Sequence, residues 1–141
     1  MATLQNPTLM RAYQYCQDML HAHLSGNDLP LVFPSTKTQS EFDPERNYLF
    51  LDIFTWYGTH FTYAAGACHE AAHAIDFARW PRLFALRGVT RYVLLGYFIN
   101  LFLEWHANKI ALQFLKATGD FTEDQLKAIK KLYRKSLYNY L

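Results

Sequence analysis

The sequence predicts a helix-dominated α+β domain, and three observations predict it. Apolar residues recur at three- and four-residue steps over most of the chain. Two short runs of β-forming residues stand between the first such stretch and the second. Gly, Pro and short polar clusters mark the joins. With 141 residues, 51% of them hydrophobic and 17% aromatic, the chain has material for one well-filled core and is not a disordered segment. A single domain over 1–141 is the simplest organisation. Its outline is about four helices with a two-stranded β element ahead of the second helix.

Each element has its own signature. Leu9, Tyr13, Cys16, Leu20 and Leu24 give an amphipathic helix over 8–24, ended by Ser25-Gly26-Asn27-Asp28. Leu31-Val32-Phe33 reads as a strand, Ser35 to Arg46 as a polar loop, and Asn47 to Phe54 as a second strand. A helix follows from Thr59 or Thr62 to Phe77 or Arg79. It is rich in alanine and contains Gly66, which costs a helix interior roughly 1 kcal/mol relative to Ala. Close approach of another backbone is the expected compensation. Pro81 and Gly88 mark a connecting segment that carries Arg79, Arg82, Arg87 and Arg91. A long helix over about Tyr92 to Ala117 ends at Gly119, and Thr122-Glu123-Asp124-Gln125 has the form of a capping box opening a last helix to Tyr140. On that last helix Leu126, Ile129, Tyr133, Leu137 and Tyr140 face inward and the lysines face out.

Charge and composition exclude several function classes. The net charge of +2 is too small to indicate a nucleic-acid binder. Its distribution is uneven: residues 1–70 hold three basic and seven acidic side chains, a balance of −4, and residues 71–141 hold eleven and five, a balance of +6. The simplest reading of the basic part is a solvated helix face. No run approaches the ~20 apolar residues of a membrane span, and Val93 to Leu103 reads as a buried helix. The start of the chain lacks the basic and apolar regions of a signal peptide, so a cytoplasmic setting is expected, with Cys16 and Cys68 reduced. The aromatic excess points to self-association or a docked protein partner.

The chemistry concentrates in His69-Glu70-Ala71-Ala72-His73. Residues four apart on a helix stand one above the other, so both imidazoles reach one ion. Glu70 is rotated off that stripe, where it can accept a proton from water at the ion. A catalytic zinc site needs a third protein ligand. Arg79 stands six residues beyond His73 and cannot ligate, and His60 lies too far along the same helix. Glu104 is the favoured candidate, a carboxylate in the middle of an apolar helix, where leaving it unpaired costs several kcal/mol. An ion pair with a linker arginine is the competing account of Glu104, and His106 is the rival ligand. Asn100, Glu104 and Asn108 form a polar stripe, and Asn108 is placed to hydrogen-bond a ligand histidine. Asp76 is expected either to orient His73 or to pair with Arg79 or Arg82.

His69-Glu70-x-x-His73 followed by Glu104-x-x-Ala107-Asn108 resembles the gluzincin pattern of zinc metallopeptidases, over about residues 42–118. It is most similar to the small zincin-like domains of bacteria and mobile elements, the ImmA/IrrE group and the C-terminal domain of ArdC-type antirestriction proteins. The resemblance implies zinc on His69, His73 and Glu104, Glu70 as the acid–base group, and a protein or peptide substrate. The alternative is a zincin fold used for binding or regulation rather than proteolysis. A di-iron carboxylate site fails on spacing, because Glu104 has its histidine two positions on rather than three. Tyr92, Tyr97 and the linker arginines are the candidates for stabilising an oxyanion.

Overall fold

The structure, a computed structural model, describes residues 7–35, 40–51, 60–86 and 93–138. Among them are five α-helices: α1 (Pro7–His23), α2 (His60–Arg79), α3 (Pro81–Leu86), α4 (Val93–Thr118) and α5 (Glu123–Tyr138). Three short strands, β1 (Leu31–Pro34), β2 (Glu41–Asp43) and β3 (Tyr48–Leu51), form one mixed sheet in the order β1-β3-β2. The architecture is α+β and dominated by helices, and no described helix is long and apolar enough to cross a membrane.

α2 is the axis on which the rest is hung. It packs against α1, α3, α4, α5, β2 and β3. Its alanines make this possible: Ala64, Ala65, Ala67, Ala71, Ala72 and Ala74 are all buried. Side chains that small let neighbouring helices approach from several directions without leaving voids. The larger volume comes from the partners, Cys16, Met19 and Leu20 of α1 and Leu115 and Ile129 of α4 and α5. Burying a side chain such as Met19 or Leu20 stabilises by about 1.5–3 kcal/mol each.

Several boundaries follow from local chemistry. Gly119 takes a positive φ of 73° where α4 ends, the left-handed conformation that glycine adopts without steric cost. The capping box at α5 forms as its sequence predicts: Thr122 Oγ1 accepts from the Gln125 amide at 3.2 Å, and Gln125 Oε1 accepts from the Thr122 amide at 2.9 Å. Arg11 and Tyr15 both reach Asp120, at 2.9 and 2.8 Å, tying α1 to the α4–α5 turn.

Four expectations are corrected. The β element has three strands, because Glu41-Phe42-Asp43, inside the segment read as a loop, pairs antiparallel with β3. Asp43 Oδ1 accepts from the Glu45 amide at 3.0 Å and Asn47 takes a φ of 57°, so turn chemistry sets that register where hydrophobic pattern is too short to do so. The helices number five rather than about four among the described residues, since Pro81 opens α3 instead of merely breaking the chain; proline suits a first helical position. The run 93–103 is not a buried helix: Leu94, Leu95, Phe98 and Phe102 are exposed, as is Trp105 beyond it. Finally, no backbone closes on Gly66. Beyond the adjoining backbone of α2 itself, no heavy atom among the described residues lies within 4 Å of where its Cβ would stand. The reading of residues 52–54 as strand, and of Tyr140 as an inward position, lies outside the described residues.

Cys16 and Cys68 are both fully buried, as expected of core thiols. Burial pushes Cys16 up to about 12, with a further push from the charge of Glu70, and burial drives Cys68 well above the ordinary thiol range. In the folded protein at pH 8 neither thiol is expected to react with a disulfide reagent, and both should react once denaturant unfolds the chain. Titration of free thiols across an unfolding curve checks this. In the same experiment Thr122→Ala should lower stability by about 1 kcal/mol through loss of the α5 cap.

Candidate metal centre

α2 presents His69 and His73 one turn apart towards α4, and α4 presents Glu104 between them. His69 Nε2 lies 2.9 Å from Glu104 Oε2, and His73 Nε2 lies 3.1 Å from Glu104 Oε1. The two Nε2 atoms are 3.0 Å apart. Ligand atoms around a tetrahedral zinc at 2.0–2.1 Å are separated by about 3.3 Å. Spreading the three groups by a few tenths of an ångström therefore makes a seat for a cation. His69, His73 and Glu104 are the one group of three or more His, Cys, Asp or Glu among the described residues whose donor atoms cluster closely enough to hold a metal ion.

The ring of His69 is held in the tautomer a metal requires. Asn108 Nδ2 donates to the backbone carbonyl of Tyr133 at 3.1 Å, which turns Asn108 Oδ1 towards His69. His69 Nδ1–H then donates to that oxygen at 2.7 Å. Once a cation takes the place of the proton shared with Glu104, an imidazole protonated at Nδ1 carries its lone pair on Nε2, the atom that faces Glu104 and His73. Tyr133 is itself fixed, its hydroxyl donating to the Ala65 carbonyl at 2.7 Å. One residue of α5 thus braces both α4 and α2 behind the centre.

The electrostatics favour positive charge at this point. Burial works to push the Glu104 carboxyl up, but hydrogen bonds from His69 and His73 outweigh it and hold the group well below the usual carboxylate range. Burial likewise works to lower His69, while the Glu104 hydrogen bond and the charges of Glu70 and Glu104 leave it raised. Both shifts describe an ionised carboxylate, 3% exposed, that requires a cation beside it. A divalent ion at the three donor atoms would supply that charge. His73 Nδ1 is buried with no hydrogen-bond partner among the described residues.

Glu70, one residue after His69 and so rotated about 100° around α2, does not join the cluster. It is half-buried and lines a cleft of about 340 Å³ together with His69. Thr62, Tyr63, Ala65 and Gly66 of α2 form one side of that cleft, and Leu132, Tyr133 and Ser136 of α5 the other. Since the side chains of His73 and Glu104 are 6% and 4% exposed against 13% for His69, the cleft meets the triad at the His69 edge.

Other expectations are settled by position. Glu104 pairs with the histidines, and among the described residues with no linker arginine. His106 points elsewhere: its Nδ1 lies 2.9 Å from Asp76 Oδ2, and its ring sits among Trp80, Phe102 and Trp105. Asp76, fully buried, takes His106 as its ion-pair partner among the described residues, while the charges of His73 and Arg79 act on it from further off. A polar residue three positions after His73 on a buried face was the signal for such a pair, but spacing alone does not choose the partner. Tyr97 stands on α4 two turns before Glu104 with its ring against Phe98, while Tyr92, Arg87 and Arg91 lie outside the described residues. The roles of Tyr133 and of the α5 wall carried no sequence signal.

No family model, curated protein or solved structure matches this chain. The site therefore rests on its own geometry.

If Asn108 fixes the His69 tautomer, Asn108→Ala should weaken zinc binding by about 10- to 100-fold with little change in helical content. Competition with a chromophoric chelator measures it, and an unchanged affinity would discard the role.

Proposed function

We propose that this chain is a zinc-dependent metallopeptidase of gluzincin type. The observation that carries the reading is the convergence of His69, His73 and Glu104 within about 3 Å of one another, with Glu70 beside them in an open cleft. Two neutral imidazoles and one carboxylate leave a dication with a net positive charge, as hydrolytic chemistry requires. Zinc held there supplies a Lewis acid that lowers the pKa of water towards ~7 and polarises a carbonyl.

The protein's own groups do the remainder. Glu70 takes the proton of the attacking water and returns it to the departing amine. Glu104 supplies the negative charge that holds the ion, and Asn108 keeps His69 from rotating out of position. The gluzincin resemblance of His69-Glu70-x-x-His73 and Glu104-x-x-Ala107-Asn108 agrees with this division of labour, and so does the failure of Glu70 to enter the cluster.

A second reading, the same centre within a binding or regulatory protein, is favoured by one observation. Leu94, Phe98, Phe102 and Trp105 expose an apolar stripe along α4, of the kind that marks protein contact surfaces.

Two variants separate these. Glu70→Gln should retain about one zinc per chain and lose at least ~10²-fold in peptide hydrolysis. His69→Ala should lose both metal and activity. Metal analysis of protein purified without chelator, paired with cleavage of a quenched fluorescent peptide library, reads both outcomes. Zinc binding with no cleavage in the parent would leave the binding reading, and absence of zinc from the parent would remove both.

A further inference from the structure

The first half of α4 has two apolar faces. Ile99 and Leu103 are buried on one of them, against Phe84 of α3. Leu94, Leu95, Phe98, Phe102 and Trp105 stand on the other, 40% to 70% exposed. Four of these, Leu95, Phe98, Phe102 and Trp105, follow one another at steps of three, four and three. That is the spacing of a and d positions, the seam along which one helix packs on another. The row is about 15 Å long. Its next position is Lys109, whose Nζ lies 5.3 Å from the centre of the Trp105 ring, so a charge bounds the row at that end.

This row matches an inverted copy of itself. Steps of three, four and three read alike from either end, and their midpoint is level with Asn100. With two α4 helices laid antiparallel about that point, Leu95 meets Trp105 of the other copy and Phe98 meets its Phe102. A smaller side chain then faces the largest, and two equal rings face each other, which fills the layers evenly. Sliding by one heptad leaves half of each row unpaired in one direction. In the other it sets Lys109 against a phenylalanine. The row therefore specifies one register.

Charge selects the antiparallel arrangement. α5 lies along the second half of α4 and exposes Lys127, Lys130, Lys131, Arg134 and Lys135. A parallel pair brings two such helices to the same end, where they repel, and an antiparallel pair sends them to opposite ends. Area is also sufficient. At about 200 Å² for a side chain of this size, the five residues expose about 500 Å² per copy. A pair thus buries about 1,000 Å², the lower limit for a specific interface, as expected of a dimer of about micromolar affinity.

We infer that this face of α4 is a homodimer interface, in which two copies pack antiparallel about a twofold axis level with Asn100. The inference does not depend on the metal centre, since none of the five residues lines the cleft beside His69. It gives to a second copy the stripe that otherwise favours a binding role.

The test is sedimentation velocity on the full chain from about 0.1 to 200 µM, a range that brackets micromolar association. The parent should pass from monomer to dimer within it. Phe98→Asp should keep the parent's helical content and weaken dimerisation by at least about 30-fold. A parent that stays monomeric at every concentration overturns the inference, and so does a folded Phe98→Asp protein that dimerises as the parent does. Register is read by disulfide trapping, because Cys16 and Cys68 are buried and leave introduced thiols as the reactive ones. Leu95→Cys and Trp105→Cys proteins, mixed and oxidised, should give the mixed dimer, with little cross-linking of either protein alone. Efficient cross-linking of each with itself would mean a parallel pair and would overturn the arrangement, whatever Phe98→Asp does to folding.

Discussion

The contact between α2 and α4 at Glu104 is the constraint around which this protein is organised. A carboxylate in the middle of a helix, 3% exposed, is tolerated because two imidazoles from the facing helix meet it at 2.9 and 3.1 Å. Removing either side leaves the other buried without compensation, a loss of several kcal/mol. The polar cluster is therefore as much a structural joint as a site. The alanines of α2 serve it directly, since bulkier residues at Ala71 or Ala72 would hold the other helices away from the axis that carries both histidines.

The helices and the triad were legible in the sequence because each rests on a period. Residues four apart place His69 over His73 wherever α2 packs. A lone acid among Leu103, Trp105 and Ala107 must find a cation, and it was the His69–His73 motif that favoured a metal site over a linker arginine for Glu104. Asn108 followed from the same stripe. What period could not supply was choice among partners. Asp76 had histidines and arginines within plausible reach, and it paired with His106 through the crossing of α2 and α4, which no local pattern encodes. β2 was hidden for a different reason: three residues bounded by acids carry too little alternation to read, and the turn at Asp43 sets their place.

The error over residues 93–103 has a geometric cause. α5 turns back after Gly119 and runs antiparallel to α4, and Asn108 of α4 reaches the carbonyl of Tyr133. From that level only one turn or so of α5 remains, so it covers the second half of α4 and not the first. On the other side α3 is only six residues long and shelters Ile99 and Leu103 through Phe84. Hydrophobicity on every side of a helix predicts burial only if enough neighbours exist to do the burying. Among the described residues they do not, and a row of apolar side chains is left facing outward.

Tyr133 ties these levels together. Its carbonyl accepts from Asn108 and its hydroxyl donates to Ala65, so the backbone of one helix and the tip of its side chain grip two others. Sliding α5 along its axis by a single residue, about 1.5 Å, would part both bonds at once. The Asn108 amide would then be at liberty to swivel, and the imidazole it steadies would lose the reason to keep its proton on the far nitrogen. The fidelity of the centre is thus governed partly by a helix that lends it no ligand, much as a keystone is kept true by a wall it does not belong to.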